Sequence, residues 1–158
     1  MKKLVLYSGL LLFSVAVLVN CKPTEKPPSA LDQAVKSLTG TWKCSGAKLG
    51  GVNQVDYIDK FTITITGSAG NTSLSFTTQG RNVAPPTKSV WPVSGTFTID
   101  STNPGSALKR DDNTSISYSV SGTGELNVRF TYNGDGFSRI NATNAIKGDW
   151  VFTFPAKS

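Results

Sequence analysis

From Phe61 onward the chain alternates apolar and polar residues with hardly a break. Phe61, Ile63 and Ile65 are spaced by Thr62, Thr64 and Thr66; Leu74 and Phe76 by Ser73, Ser75 and Thr77. Phe97 and Ile99 alternate with threonines, and Ile116, Tyr118 and Val120 with serines. Leu126, Val128, Phe130 and Tyr132 form one side of a segment whose other side is Glu125, Asn127, Arg129 and Thr131. Trp150, Phe152 and Phe154 repeat the pattern near the end. A period of two with one apolar side is the mark of a β-strand whose single face is buried. A strand around Trp42 and a short one near Leu108 bring the expected number to about eight.

Between these runs lie turn formers: Gly67–Asn71, Ser101–Gly105, Asp111–Asn113, Ser121–Gly124 and Asn133–Gly136. Short strands on tight turns make antiparallel neighbours, and a sheet of this size hides its edges by closing or by folding onto itself. The expected fold is therefore all-β, an up-and-down antiparallel barrel of about eight strands, with a β-sandwich as the alternative. One helix precedes it. Leu31, Val35 and Leu38 recur at helical spacing, Ser29 is placed to cap the first turn with Asp32 at the third position, and Gly40 follows.

Residues 1–21 obey a different pattern. Lys2 and Lys3 precede an apolar run from Leu4 to Val19, which ends at Asn20-Cys21. A basic start and an apolar run of this length describe a secretory signal. Leu18-Val19-Asn20-Cys21 resembles the lipobox of bacterial lipoproteins, in which the cysteine is acylated and becomes the first mature residue; Asn20 departs from the usual small residue there. That resemblance implies a signal peptide over 1–20, a lipidated Cys21 and proline-rich tether over 21–28, and a folded domain over 29–158. It also implies a bilayer partner through acylated Cys21. Lys22, standing where aspartate favours inner-membrane retention, implies the outer membrane.

Composition narrows the chemistry. The net charge is +6, and +4 once the two leader lysines are set aside, with no basic stripe of the kind nucleic acid requires. There is no histidine, which removes Ser-His-Asp and Cys-His catalysis and nearly all zinc, copper and non-haem iron sites. Of the two cysteines, Cys21 is taken by lipidation. Cys44 is left without a disulfide partner and, sharing parity with Trp42, is expected in the core. Lys109-Arg110-Asp111-Asp112-Asn113 holds oxygen donors without the acidic spacing of a calcium loop, and reads as a solvated turn flanked by opposite charges. No enzyme activity, cofactor or metal is expected.

Leu38-Thr39-Gly40-Thr41-Trp42 puts a Gly-x-Trp at the start of the first strand, directly after the helix. This resembles the lipocalins and their bacterial lipoprotein relatives. Trp91–Phe97, Lys109–Asp112 and Gly148–Phe152 add a likeness to small lipocalin-like lipoproteins. The resemblance implies that Gly40 and Trp42 form a fold signature at the barrel base, with the tryptophan covered by an arginine. Arg139 is the first candidate for that role and Arg129 the second.

Two functions remain open, and the resemblance favours the first, ligand binding, with the second as the alternative. In one, Trp42, Phe61, Ile63, Phe76, Phe97, Tyr118, Phe130 and Trp150 line a lumen that holds a small apolar or amphipathic ligand. In the other, the bulk of these residues fills the interior, and a monomeric, envelope-anchored domain contacts another envelope protein or glycan. The loop from Gln79 to Lys88 is long enough for a lid or a partner contact. The deciding quantity is free volume inside the barrel.

Overall fold

The computed structural model describes residues 26–80, 89–137 and 146–157. Cys21, Arg139 and most of the Gln79–Lys88 loop lie outside the described residues.

The helix α1 (Ala30–Leu38) forms as its sequence dictates. The Ser29 hydroxyl accepts from the Asp32 N–H at 3.1 Å, while the Asp32 carboxylate accepts from Ser29, a reciprocal cap that satisfies two otherwise orphaned donors. Asp32 also accepts from Gly70 N–H at 2.7 Å, tying the helix start to a strand connection. Ala34, Val35 and Leu38 turn one face into the core.

Ten strands follow, all paired antiparallel in one curled, barrel-like sheet. They are β1 (Gly40–Lys43), β2 (Gly46–Leu49), β3 (Val52–Asn53), β4 (Thr62–Thr66) and β5 (Ser73–Gln79), then β6 (Ser94–Ile99), β7 (Ala107–Arg110), β8 (Ser115–Val120), β9 (Leu126–Tyr132) and β10 (Gly148–Phe154). The sheet order is β1-β4-β5-β6-β7-β8-β9-β10-β2-β3, so from β4 to β10 each strand neighbours the next. The count exceeds the expected eight for two physical reasons. The first strand is broken at Cys44–Ser45: Cys44 N–H donates to Phe61 on the β4 side at 2.8 Å, and Ser45 N–H to Thr153 on the β10 side at 2.9 Å. The chain then reverses through Gly50 and Gly51, with φ of 54° and 85°, and adds the two residues of β3 beside β2.

The alternation read from the sequence holds strand by strand. Ile63, Ile65, Leu74, Phe76, Phe97, Ile99, Leu108, Ile116, Leu126, Val128, Phe130, Trp150, Phe152 and Phe154 are all buried, and with α1 they make one continuous core. Each such side chain contributes about 1.5–3 kcal/mol by leaving water. The connection after β9 is longer than the Asn133–Gly136 turn foreseen, because β10 begins only at Gly148.

Candidate functional site

At one end of the interior stands Trp42, 1% exposed. Its indole N–H donates to Leu38 O at 2.8 Å, across the junction between α1 and β1. Among the described residues the cation over it is Lys157, with Nζ 5.6 Å from the ring centroid; Arg139 lies outside them. Lys157 also donates to the carbonyls of Lys36, Ser37 and Thr39 at 2.8, 3.2 and 2.7 Å, so it caps the helix C-terminus, where unpaired carbonyls and the dipole favour a cation. Gly40 explains the first half of the Gly-x-Trp motif. Its φ is 141°, and a Cβ there would come within 2.7 Å of Lys157 Cδ; glycine alone tolerates both conditions. Arg129, the second candidate for this cover, is instead exposed on the outer face of β9.

The opposite end is built differently. After β5 the chain returns at Ser89 and runs inward, with Ser89 and Val90 fully buried and Trp91 at 1%. Trp91 is stacked on Phe61 at 5.6 Å and meets Phe76, Phe97, Phe130 and Phe152 edge-on. A backbone leaving the sheet to enter a core must find partners for its polar groups. Here side chains supply two of them, Val90 N–H donating to the Tyr57 hydroxyl at 3.1 Å and Trp91 N–H to Ser89 Oγ at 3.1 Å, while a backbone bridge supplies a third, Phe137 N–H to Ser89 O at 2.8 Å. Arg110 donates to Val90 O at 3.1 Å.

Arg110 corrects the reading of Lys109–Asn113 as wholly solvated. The turn over 111–113 is there, with Asn113 at a φ of 67°, but Arg110 shares parity with Leu108 and points inward, 1% exposed. Its guanidinium forms a two-pronged pair with Asp112, at 3.0 and 2.7 Å. It also lies 5.2–5.7 Å from the rings of Trp91, Phe130, Tyr132 and Phe137. A planar cation satisfied at its edge and flanked by aromatic faces is a form of buried charge that proteins tolerate. Burial works to raise the Asp112 carboxyl, but hydrogen bonds from Arg110 and Thr114 outweigh it and hold the group below the usual carboxylate range. Asp111 bonds elsewhere, accepting from Thr96 N–H at 2.9 Å.

The eight lumen candidates are all inside. Trp42, Phe61, Ile63, Phe76, Phe97, Tyr118, Phe130 and Trp150 are each at most 5% exposed. Among the described residues, however, they border little free space. The enclosed space at the centre, bordered by Leu38, Ile65, Trp91, Leu108, Val128 and Phe154 among others, measures about 10 Å³. A small-molecule pocket starts at about 300 Å³. Trp150 is fixed as Trp42 is, through its indole N–H to Ile146 O at 2.8 Å, whereas buried Trp91 Nε1 has no acceptor among the described residues. Burial raises the phenol of Tyr118 to about 12 and the thiol of Cys44 to about 11, so neither is ionised at neutral pH. Cys44 is buried, as its parity with Trp42 predicts.

A larger concavity lies outside. A shallow trough of about 810 Å³ crosses the outer face of β6 to β10, where the outward side chains Thr98, Lys109, Ser115, Ser117, Arg129, Thr131, Asp149 and Val151 meet. Thr131 Oγ1 donates to Asp149 at 2.6 Å. Lys109 and Arg129 make no ion pair with a described residue.

Sequence reasoning placed the strands' inward residues but missed Tyr57, Trp91 as an inserted residue, Arg110 as an interior cation and Lys157 as the cover of Trp42. Arg110 could have been found by extending the Leu108 parity two residues. Tyr57 and Trp91 lie in connections and carry no period to read. No protein-family model, curated protein or solved structure matches this chain.

Proposed function

We propose that this chain is an envelope lipoprotein, held by acyl chains on Cys21, whose folded domain works through its outer surface and not as a carrier. On this reading residues 40–49 are one bent strand, so that the staves number eight and close as a lipocalin-like barrel, with β3 as a side ribbon. What supports the surface role above all is the inward path of Ser89–Trp91. That segment puts an indole where a carrier would hold cargo, and the buried hydrogen bonds of Arg110 and Tyr57 hold it there. A carrier would need this segment to leave, exposing Trp91 and breaking those bonds together.

The test is native mass spectrometry of the full chain extracted from its own envelope in mild detergent. The expected spectrum is the acylated protein alone, with Cys21→Ser losing the acyl mass and the partition into membranes. A discrete apolar molecule leaving with the wild-type chain would overturn the surface role and restore the carrier.

A further inference from the structure

We infer that the trough on the outer face of β6–β10 binds an acidic oligosaccharide, with a sugar carboxylate taken between Lys109 and Arg129. The inference rests on the surface role proposed above and names its ligand class.

The register places the groups. Lys109 on β7 is opposite Ser115 on β8, and Ser117 on β8 is opposite Arg129 on β9. All four side chains point outward, so the two cations stand diagonally across a strand that offers two hydroxyls between them. Strand spacing puts β7 and β9 about 10 Å apart, within reach of both long side chains. Neither cation has a carboxylate partner among the described residues. The trough's own acids lie at its two margins, Asp100 just after β6 and Asp149 on β10, and both are already engaged. Asp149 accepts from Thr131, and Asp100 from Thr102 N–H at 2.8 Å and Thr102 Oγ1 at 2.6 Å. Cations at the centre and hydrogen-bonding acids at the margins fit a ligand with an anionic group in the middle and hydroxyls to donate on either side.

The outward side chains narrow the occupants. Those of β8 to β10 are mostly short and polar, with Val151 the apolar one, although Ala107 on β7 and the carbon of the strands leave most of the trough's exposed surface apolar. Single-stranded nucleic acid needs exposed rings for stacking, and a protein partner seeks large aromatic anchors. The aromatic side chains of β6 to β10 all point inward and are buried.

The probe is fluorescein-labelled tetragalacturonate, titrated by anisotropy into the full acylated chain in detergent at fixed ionic strength. Saturable binding is expected, at least about tenfold tighter than to labelled maltotetraose. Lys109→Ala and Arg129→Ala are each expected to weaken it severalfold, and Arg129→Glu to abolish it, with melting temperatures near that of the wild type because both side chains are exposed. Absence of saturation, equal affinity for the neutral sugar, insensitivity to these substitutions, or full displacement by inorganic phosphate would each overturn the inference. Should it fail while native mass spectrometry still shows a bare acylated chain, only the ligand assignment falls. An apolar cargo in that spectrum would remove the surface role itself.

Discussion

Both ends of the interior place a cation over a tryptophan, and they do so by opposite means. At the α1 end Lys157 lies 5.6 Å over Trp42, and its exposed ammonium finishes a helix whose indole contact with Leu38 O is already made. At the other end Arg110 lies 5.2 Å over Trp91 with its side chain wholly out of water. There the indole N–H finds no acceptor among the described residues, and the arginine holds the backbone of Val90 in place. The first cation covers a completed structure. The second is the reason the chain is able to run through the interior, since without it a buried carbonyl loses its donor and a half-buried carboxylate keeps Thr114 but loses its counter-ion. A filled barrel-like core can therefore be closed from outside at modest gain, or plugged from within only where a buried charge carries the polar cost.

The largest expected effect follows from that difference. Arg110→Ala should destabilise the fold by about 3–5 kcal/mol, the usual cost of breaking a buried ion pair from one side. Lys157→Ala should cost about 1 kcal/mol, since an exposed cation at a helix end is screened by water. Urea unfolding followed by tryptophan fluorescence reads both. Equal losses at the two positions would mean that the ends are held alike and the contrast is false.

A finer test exchanges the rings. Trp42→Phe removes a buried hydrogen bond and strands Leu38 O, whereas Trp91→Phe removes a donor that has no acceptor among the described residues. Both leave a smaller ring in a packed site. Trp42→Phe should therefore be worse by about 1 kcal/mol, the net value of one such bond. If Trp91→Phe proves the costlier, its indole has a partner beyond the described residues. Proton NMR of the three indole N–H groups would decide that directly, the Trp91 resonance being the one expected without hydrogen-bonded character.

Most of the sheet and little of the plug was legible beforehand. Period-two alternation determines which face of β4, β5, β6, β8, β9 and β10 is buried, because a one-residue slip would turn Phe76 or Phe152 into water. The Ser29 cap and the spacing of Leu31, Val35 and Leu38 placed α1 for the same local reason. Ser89–Trp91 has no such grammar. Its inward path is set by Tyr57 and Arg110, both distant in sequence, and long-range hydrogen bonds leave no local trace. The covering of Trp42 shows a related limit. Resemblance points first to Arg139, which lies outside the described residues; among those residues the cation over Trp42 is Lys157 of the tail, in the space that Gly40 leaves open. The break at Cys44–Ser45 was hidden too, since the Trp42–Cys44 parity continues smoothly up to it.

The smallest effect concerns acid. The Asp112 carboxyl is held below its usual value by Arg110 and Thr114 against the pull of burial. A group whose pKa is lower folded than unfolded stabilises the fold fully above its unfolded value, and that contribution is lost as pH falls through the folded value. Stability of the wild-type chain should accordingly hold from neutral pH to about 4 and decline below it. Asp112→Asn keeps a hydrogen-bond acceptor beside Arg110 but cannot titrate. It should start lower at neutral pH and lose less between pH 4 and 2 than the wild type, so that the two unfolding curves converge in acid. Asp32 and Asp100 are also held low, by hydrogen bonds from Ser29 and Thr102 respectively, and they titrate in both proteins, so the difference between the curves isolates Asp112. Lys157→Ala should leave that difference unchanged, because its cation sits at the other end. A difference that Lys157→Ala removes would show the two ends to be coupled through the aromatic core between them.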